Sequence, residues 1–161
     1  MSSHNLIASS DNSCGECTAC CHRLPIPEVT WMGPTGKPLN TMCDKNCNGC
    51  TIYDSRPKVC ADFKCLWLII NSVNNSLPVD LRPDQCGVMV SGDSQDGKAS
   101  IFLDELAEDT FDIAHMTPAQ ARLMAEIITL IQNQTMPTEL FLHKYNWETL
   151  RINIQMEQRT T

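Results

Sequence analysis

Apolar residues recur at readable intervals in the second half of the chain. Thr117-Pro118-Ala119-Gln120 has the form of a capping box with proline at the first helical position, and Met124, Ile127, Ile128 and Ile131 make one apolar stripe that runs to Asn133. An amphipathic helix is predicted there. Before it, Gly87-Val88-Met89-Val90 and Ala99-Ser100-Ile101-Phe102-Leu103 flank a polar, glycine-containing loop from Ser91 to Lys98 and read as a hairpin. After it come Leu140 and Leu142. Leu150, Ile152 and Ile154 then alternate with Arg151, Asn153 and Gln155, which predicts two more strands joined near Asn146-Trp147-Glu148. The sum is an α+β fold: a small antiparallel sheet with one covering helix over 87–161, following a small cysteine-rich lobe over 14–86 and a flexible N-terminus over 1–13.

In the first half only one stretch is periodic. Pro57 stands where a helix begins, with Ser55 or Arg56 available to cap it, and Val59, Phe63, Leu66, Trp67 and Ile70 follow at helical spacing. The longest uninterrupted apolar run, Leu66 to Ile70, is far short of the roughly 20 residues of a membrane span. Residues 1–13 lack the basic start and apolar stretch of a secretory signal, so a cytoplasmic protein is expected.

Composition changes this picture chiefly through cysteine. Ten cysteines, at 14, 17, 20, 21, 43, 47, 50, 60, 65 and 86, all fall in the first 86 residues. Disulfides would suit the even number, but a reducing compartment opposes them, and four thiols within eight residues (Cys14-x₂-Cys17-x₂-Cys20-Cys21) are too close to bridge one another in the usual geometry. A metal prefers such spacing, because a C-x₂-C turn aims two thiolates and several backbone N–H groups at one ion. Cys14-x₂-Cys17 with Cys47-x₂-Cys50 has the paired spacing of a four-thiolate zinc site, whereas Cys14-x₂-Cys17-x₂-Cys20 also resembles the opening of a ferredoxin run. Zn²⁺ is preferred to an iron–sulfur cluster by a narrow margin. On a regular helix Cys60 and Cys65 would stand about 140° apart, so more than one centre is expected unless that helix is distorted.

Charge argues against nucleic acid. The net charge is −7, with six Lys/Arg against six Asp/Glu over residues 1–67 and six against thirteen over 68–161. Two four-thiolate zinc sites would take the chain to about −11, which disfavours a phosphate backbone. The acidic stretch Asp104, Glu105, Glu108, Asp109 and Asp112 reads as a solvated loop or helix face, with docking of a basic partner as the alternative.

The segments Cys14-Gly15-Glu16-Cys17-Thr18-Ala19-Cys20-Cys21, Gly49-Cys50-Thr51-Ile52-Tyr53, Arg56-Pro57-x₂-Cys60-x₂-Phe63-x-Cys65-x-Trp67 and Leu81-Arg82-Pro83-Asp84 resemble the YkgJ-type cysteine-cluster family, a CxxCxxCC zinc- or iron-chelating domain. The resemblance spans roughly residues 14–90. It implies Cys14, Cys17, Cys20, Cys21, Cys43, Cys50, Cys60 and Cys65 as metal ligands. Cys47 and Cys86 look like additions to that set, and His22 is a further candidate. Tyr53, Phe63 and Trp67 are expected to shield the metal, and Arg56 to partner the cluster sulfurs or Asp54.

The chain shows no Ser/His/Asp set, no framed carboxylate pair and no phosphate loop, and His115 and His143 are isolated, so no catalytic residue is assigned. The favoured expectation is a metal-binding structural or interaction module with a protein partner, such as a subunit of a larger assembly. The alternative is an iron–sulfur redox or protein-modifying enzyme, since some members of the family resemble flagellin lysine N-methylases.

Overall fold

A computed structural model describes residues 14–27, 36–74 and 76–153. The expectations for 1–13 and for Ile154 lie outside the described residues.

The sheet has four strands in the order β1-β2-β3-β4: β1 Val88–Gln95, β2 Lys98–Glu105, β3 Thr138–His143 and β4 Thr149–Ile152. β1 and β2 form the expected hairpin, but most of the loop foreseen over Ser91–Lys98 is strand. Asp96 (φ 51°) and Gly97 (φ 75°) make a two-residue turn, and Gln95 pairs with Lys98. An Asp-Gly turn matches the twist of its flanking strands, and this end of the hairpin reads as polar because it projects past the core.

The sheet is mixed rather than antiparallel. β3 pairs with β4 antiparallel, but β2 and β3 are parallel, with Leu103 opposite Leu142. Between them the chain crosses over through a 3₁₀ turn at Ile113–His115 and the helix α5, Pro118–Gln132, and returns in the same direction, as parallel neighbours require. α5 starts as expected. Thr117 Oγ1 accepts from Gln120 N–H at 3.2 Å, Gln120 Oε1 accepts from Thr117 N–H at 3.1 Å, and Pro118 fills the first turn. The Gln120 side chain also donates to the carbonyls of Cys86 and Thr110, at 3.0 and 2.7 Å, which pins the helix start to the segments just before β1 and just after β2.

Ahead of the sheet lie four short helices: α1 Ala19–Arg23, α2 Lys58–Asp62, α3 Leu66–Asn74 and α4 Pro83–Cys86. The single helix expected from Pro57 through Ile70 is two, because Phe63 adopts extended backbone (φ −74°, ψ 126°). Pro57 is the residue before the helix, and neither Ser55 nor Arg56 caps it with a side chain. The apolar stripe serves two destinations. Val59 and Phe63 face the cysteines, whereas Leu66, Trp67 and Ile70 pack against the sheet, and one straight helix could not present both sets.

The core joins Val88, Val90, Leu103, Leu140 and Leu142 of the sheet to Leu123, Met124 and Ile127 of α5, and also takes in Leu77, Leu81 and Cys86. Residues 66–86 therefore pack with the sheet. The cysteine-bearing region before them is tied to it by polar contacts. Arg23, at the end of α1, is fully buried, and its guanidinium donates to Asn40 Oδ1 (2.7 Å), Tyr145 O (2.8 Å) and Lys144 O (2.7 Å). It also lies 4.8 Å from the Trp147 ring centre.

The acidic stretch is not uniformly solvated. Asp104 and Glu105 are buried at the end of β2, where the sheet needs inward-facing partners for the β3–β4 turn. His143 Nδ1 is 2.9 Å from Asp104 Oδ1, and Glu105 accepts from Lys144 Nζ and Tyr145 N–H, both at 2.8 Å. Glu108, Asp109 and Asp112 are exposed, as expected of a solvated segment.

Candidate metal centre

The cysteines are placed by four pieces of local structure. Cys14-Gly15-Glu16-Cys17 is a tight turn, with Cys17 N–H donating to Cys14 O at 3.0 Å and Gly15 at φ +55°. α1 carries Cys20 and Cys21. The segment after Lys37 lies alongside, since Cys43 N–H donates to Cys21 O at 3.0 Å and Asn46 bridges to Cys50. Gly49, at φ +125°, completes this approach: a Cβ there would stand 3.0 Å from Gly15 O, so only glycine lets the two cysteine turns meet. Cys60 is in α2.

Together these elements enclose a cavity of about 380 Å³ lined by seven thiols: Cys14, Cys17, Cys20, Cys21, Cys43, Cys50 and Cys60. The remaining cysteines are elsewhere. Cys47 is exposed on the outside of its turn. Cys86 is buried in the sheet core, where Sγ donates to Val88 O at 3.3 Å and Leu81 O at 3.5 Å. Cys65 sits just before α3, its sulfur accepting the N–H groups of Leu68 and Trp67, close enough to Cys14 to feel its charge. His22 does not line the cavity. Its ring stacks toward Tyr145 at 6.4 Å and its carbonyl accepts from Lys37.

Tyr53 and Phe63 line the cavity as expected, but Trp67 packs against the sheet and donates through Nε1 to Pro78 O at 3.2 Å. The break at Phe63 separates it from Phe63, and the two side chains meet different neighbours. Arg56 donates through Nε to Tyr53 O at 2.7 Å and lies 3.5 Å over the Tyr53 ring, whose hydroxyl bonds the Cys14 sulfur. Two contributors were not foreseen. Lys37, 6% exposed, points Nζ at the carbonyls of His22, Pro38 and Thr41. Trp147, at φ 71° in the β3–β4 turn, brings an aromatic wall from the far end of the chain. A lone lysine and a turn tryptophan carry no spacing signal.

Burial dominates the electrostatics. It pushes the Cys17 thiol up to about 12 and Cys65 to about 11, and raises Cys14, Cys43 and Cys60 as well. Cys20 and Cys21 behave as a pair. Cys20 donates to Cys21, which raises Cys20 and lowers Cys21, with Asn46, Lys37 and Arg56 also favouring the Cys21 thiolate. Asp84 donates its backbone N–H to the Cys17 sulfur and is itself clamped by Arg82 at 2.5 and 2.8 Å, so Arg82-Pro83-Asp84 packs directly on the first cysteine turn.

This donor set fits a soft metal. Seven thiols and no carboxylate or imidazole line the cavity, Lys45 and Arg56 line it as well, Lys37 and Arg56 favour the Cys21 thiolate, and glycine backbone closes in where a Cβ would not fit. Among the described residues no three Cys, His, Asp or Glu side chains surround a single ion position. No model of a known protein family, no curated protein and no solved structure matches the chain.

Proposed function

We propose that the chain binds Zn²⁺ or an iron–sulfur centre through its cavity cysteines, and that the metal holds the 14–63 region as a structural and interaction module that a protein partner recognises. The observation that carries this reading is the convergence of seven thiols, from four separate pieces of chain, on one cavity, while Cys86 is packed away in apolar core. Burial keeps most of these thiols protonated in the free chain, and a metal ion supplies the positive charge that makes buried thiolates favourable. The resemblance to the YkgJ-type family belongs to the same proposal.

A second reading, an iron–sulfur redox or protein-modifying enzyme, draws on the apolar wall of Ile52, Val59, Phe63 and Trp147, which offers more room than ions alone require. Metal analysis of protein purified without oxygen separates the two. Colourless protein with stoichiometric zinc supports the structural module. Brown protein with iron and acid-labile sulfide supports the enzyme, and protein that takes up neither metal refutes both.

A further inference from the structure

We infer that the cavity also binds a small apolar carboxylate, with the acid group on the guanidinium of Arg56 and the hydrocarbon body on the surrounding walls. This site needs no metal: the cavity lining specifies it, independently of the metal-binding reading above.

Charge selects the head group. Arg56 and Lys45 line the cavity and no carboxylate does, in a chain whose net charge is −7. Lys37 is close enough to act on Cys21 and Cys43 while its Nζ donates to three carbonyls, and a thiolate at Cys21 offsets one of these three cations. Arg56 is held in place. Its Nε donates to Tyr53 O at 2.7 Å and its guanidinium lies 3.5 Å over the Tyr53 ring. Cys14, Cys21 and Cys60, from three separate pieces of chain, all feel its charge, so the guanidinium stands among the thiols. Its fixed contacts use Nε and one face. Among the described residues the two Nη groups have no hydrogen-bond or ion-pair partner, and that planar pair of donors matches the two oxygens of a carboxylate.

The walls select the body. Leu24, Ile26, Ile52, Val59, Phe63 and Trp147 surround the thiols, and protonated thiols are themselves nearly apolar. A cavity of about 380 Å³ lies in the range of sites for small organic ligands, and Val59 and Trp147, each 41% exposed, stand at its mouth. A small hydrophilic anion would leave these walls wet. An amine would meet Arg56 and Lys45 with like charge, and a neutral hydrocarbon would leave the Nη groups unpaired. An apolar carboxylate satisfies both the walls and the cation.

The test titrates the full, reduced chain in chelator with phenylacetate, with acetate, which lacks the body, and with phenethylamine, which reverses the charge. Nuclear magnetic resonance and hydrogen exchange follow binding. Phenylacetate should saturate one site below about 10 mM, about tenfold more tightly than either control, and should slow exchange of the Cys43, Thr51 and Cys60 amides. Arg56→Gln should weaken phenylacetate by about tenfold. Val59→Glu, at the exposed mouth, should weaken phenylacetate and tighten phenethylamine, a reversal that unfolding of the region cannot produce. Absence of saturation, a control that binds as tightly as phenylacetate, or affinities unchanged in both variants would each overturn the site. Metal uptake is measured separately by elemental analysis. A chain that loads metal but ignores phenylacetate loses this site alone, and one that binds phenylacetate but loads no metal keeps this site and loses the metal-binding reading.

Discussion

Serine in place of a cavity cysteine exchanges a soft anionic ligand for a hydroxyl that stays protonated at neutral pH. Cys14→Ser, Cys20→Ser, Cys50→Ser and Cys60→Ser should each lower the metal-to-protein ratio. Cys47→Ser and Cys86→Ser should leave it unchanged, because Cys47 is exposed outside the cavity and Cys86 is held in the core by two carbonyls. Elemental analysis of freshly reduced protein checks this set, and a normal ratio in Cys14→Ser would sink the metal assignment. Gly49→Ala tests the cradle: its Cβ would press on Gly15 O from a backbone at φ +125°, so a loss of about 2 kcal/mol in denaturant unfolding is expected, with weaker metal retention. The cysteine gathering was legible because C-x₂-C spacing is a local signal that any fold must honour. Trp67 packs on the sheet and not on the cysteines because of a helix break at Phe63 that leaves the apolar spacing intact.

Among the elements, the periods that one partner surface imposes were readable, and those shared between two surfaces were not. The α5 stripe meets one continuous core, made by the sheet and residues 77–86, and both its cap and its end fall as read. The direction of β3 was hidden because alternation records which face is buried and not which way a strand runs. Asp104 and Glu105, at the end of β2, look solvated in sequence because the groups that satisfy them come from residues 143–145. Burial alone would raise the Glu105 carboxyl, but Lys144 and the N–H groups of Tyr145 and Phe111 outweigh it and hold it below the ordinary range. A depressed carboxyl contributes stability above its unfolded pKa and loses it as pH falls through the folded one. Asp104, raised by burial, acts in the opposite direction, so the test is a difference between proteins. Glu105→Gln should cost about 2 kcal/mol at pH 7, and the gap to wild type should shrink as pH falls below about 4. Thermal melts across that range check it, and a gap that stays constant would show that the Glu105 charge does not contribute.

At the scale of the whole molecule, the two regions are stabilised by different things. Residues 66–152 hold the continuous apolar cluster, whereas the described part of 14–63 contributes Ala19, Ile26 and Cys43 as its buried apolar residues. So small an apolar core is what the proposed metal would have to supplement. Among the contacts that join the regions is Arg23, which extends from the helix bearing Cys20 and Cys21 to the carbonyls of Tyr145 and Lys144, beside the Trp147 that walls the cavity. Chelation should therefore release the amides of Cys43, Thr51 and Cys60 to fast hydrogen exchange, while those of Val90, Leu103, Ile127 and Leu140 stay protected. Arg23→Met breaks the link without touching a thiol. It removes the guanidinium's hydrogen bonds to Asn40 Oδ1 and to the carbonyls of His143, Lys144 and Tyr145, and strips a buried cation from beside Asp104 and Glu105, so it should destabilise the protein by about 3 kcal/mol. It should also uncouple the regions: in a Trp31→Phe, Trp67→Phe background, metal removal should change Trp147 fluorescence when Arg23 is present and much less in Arg23→Met. If both regions exchange together after chelation, or if Trp147 responds equally with and without Arg23, the fold is a single cooperative unit in which the metal is one stabilising contact among many.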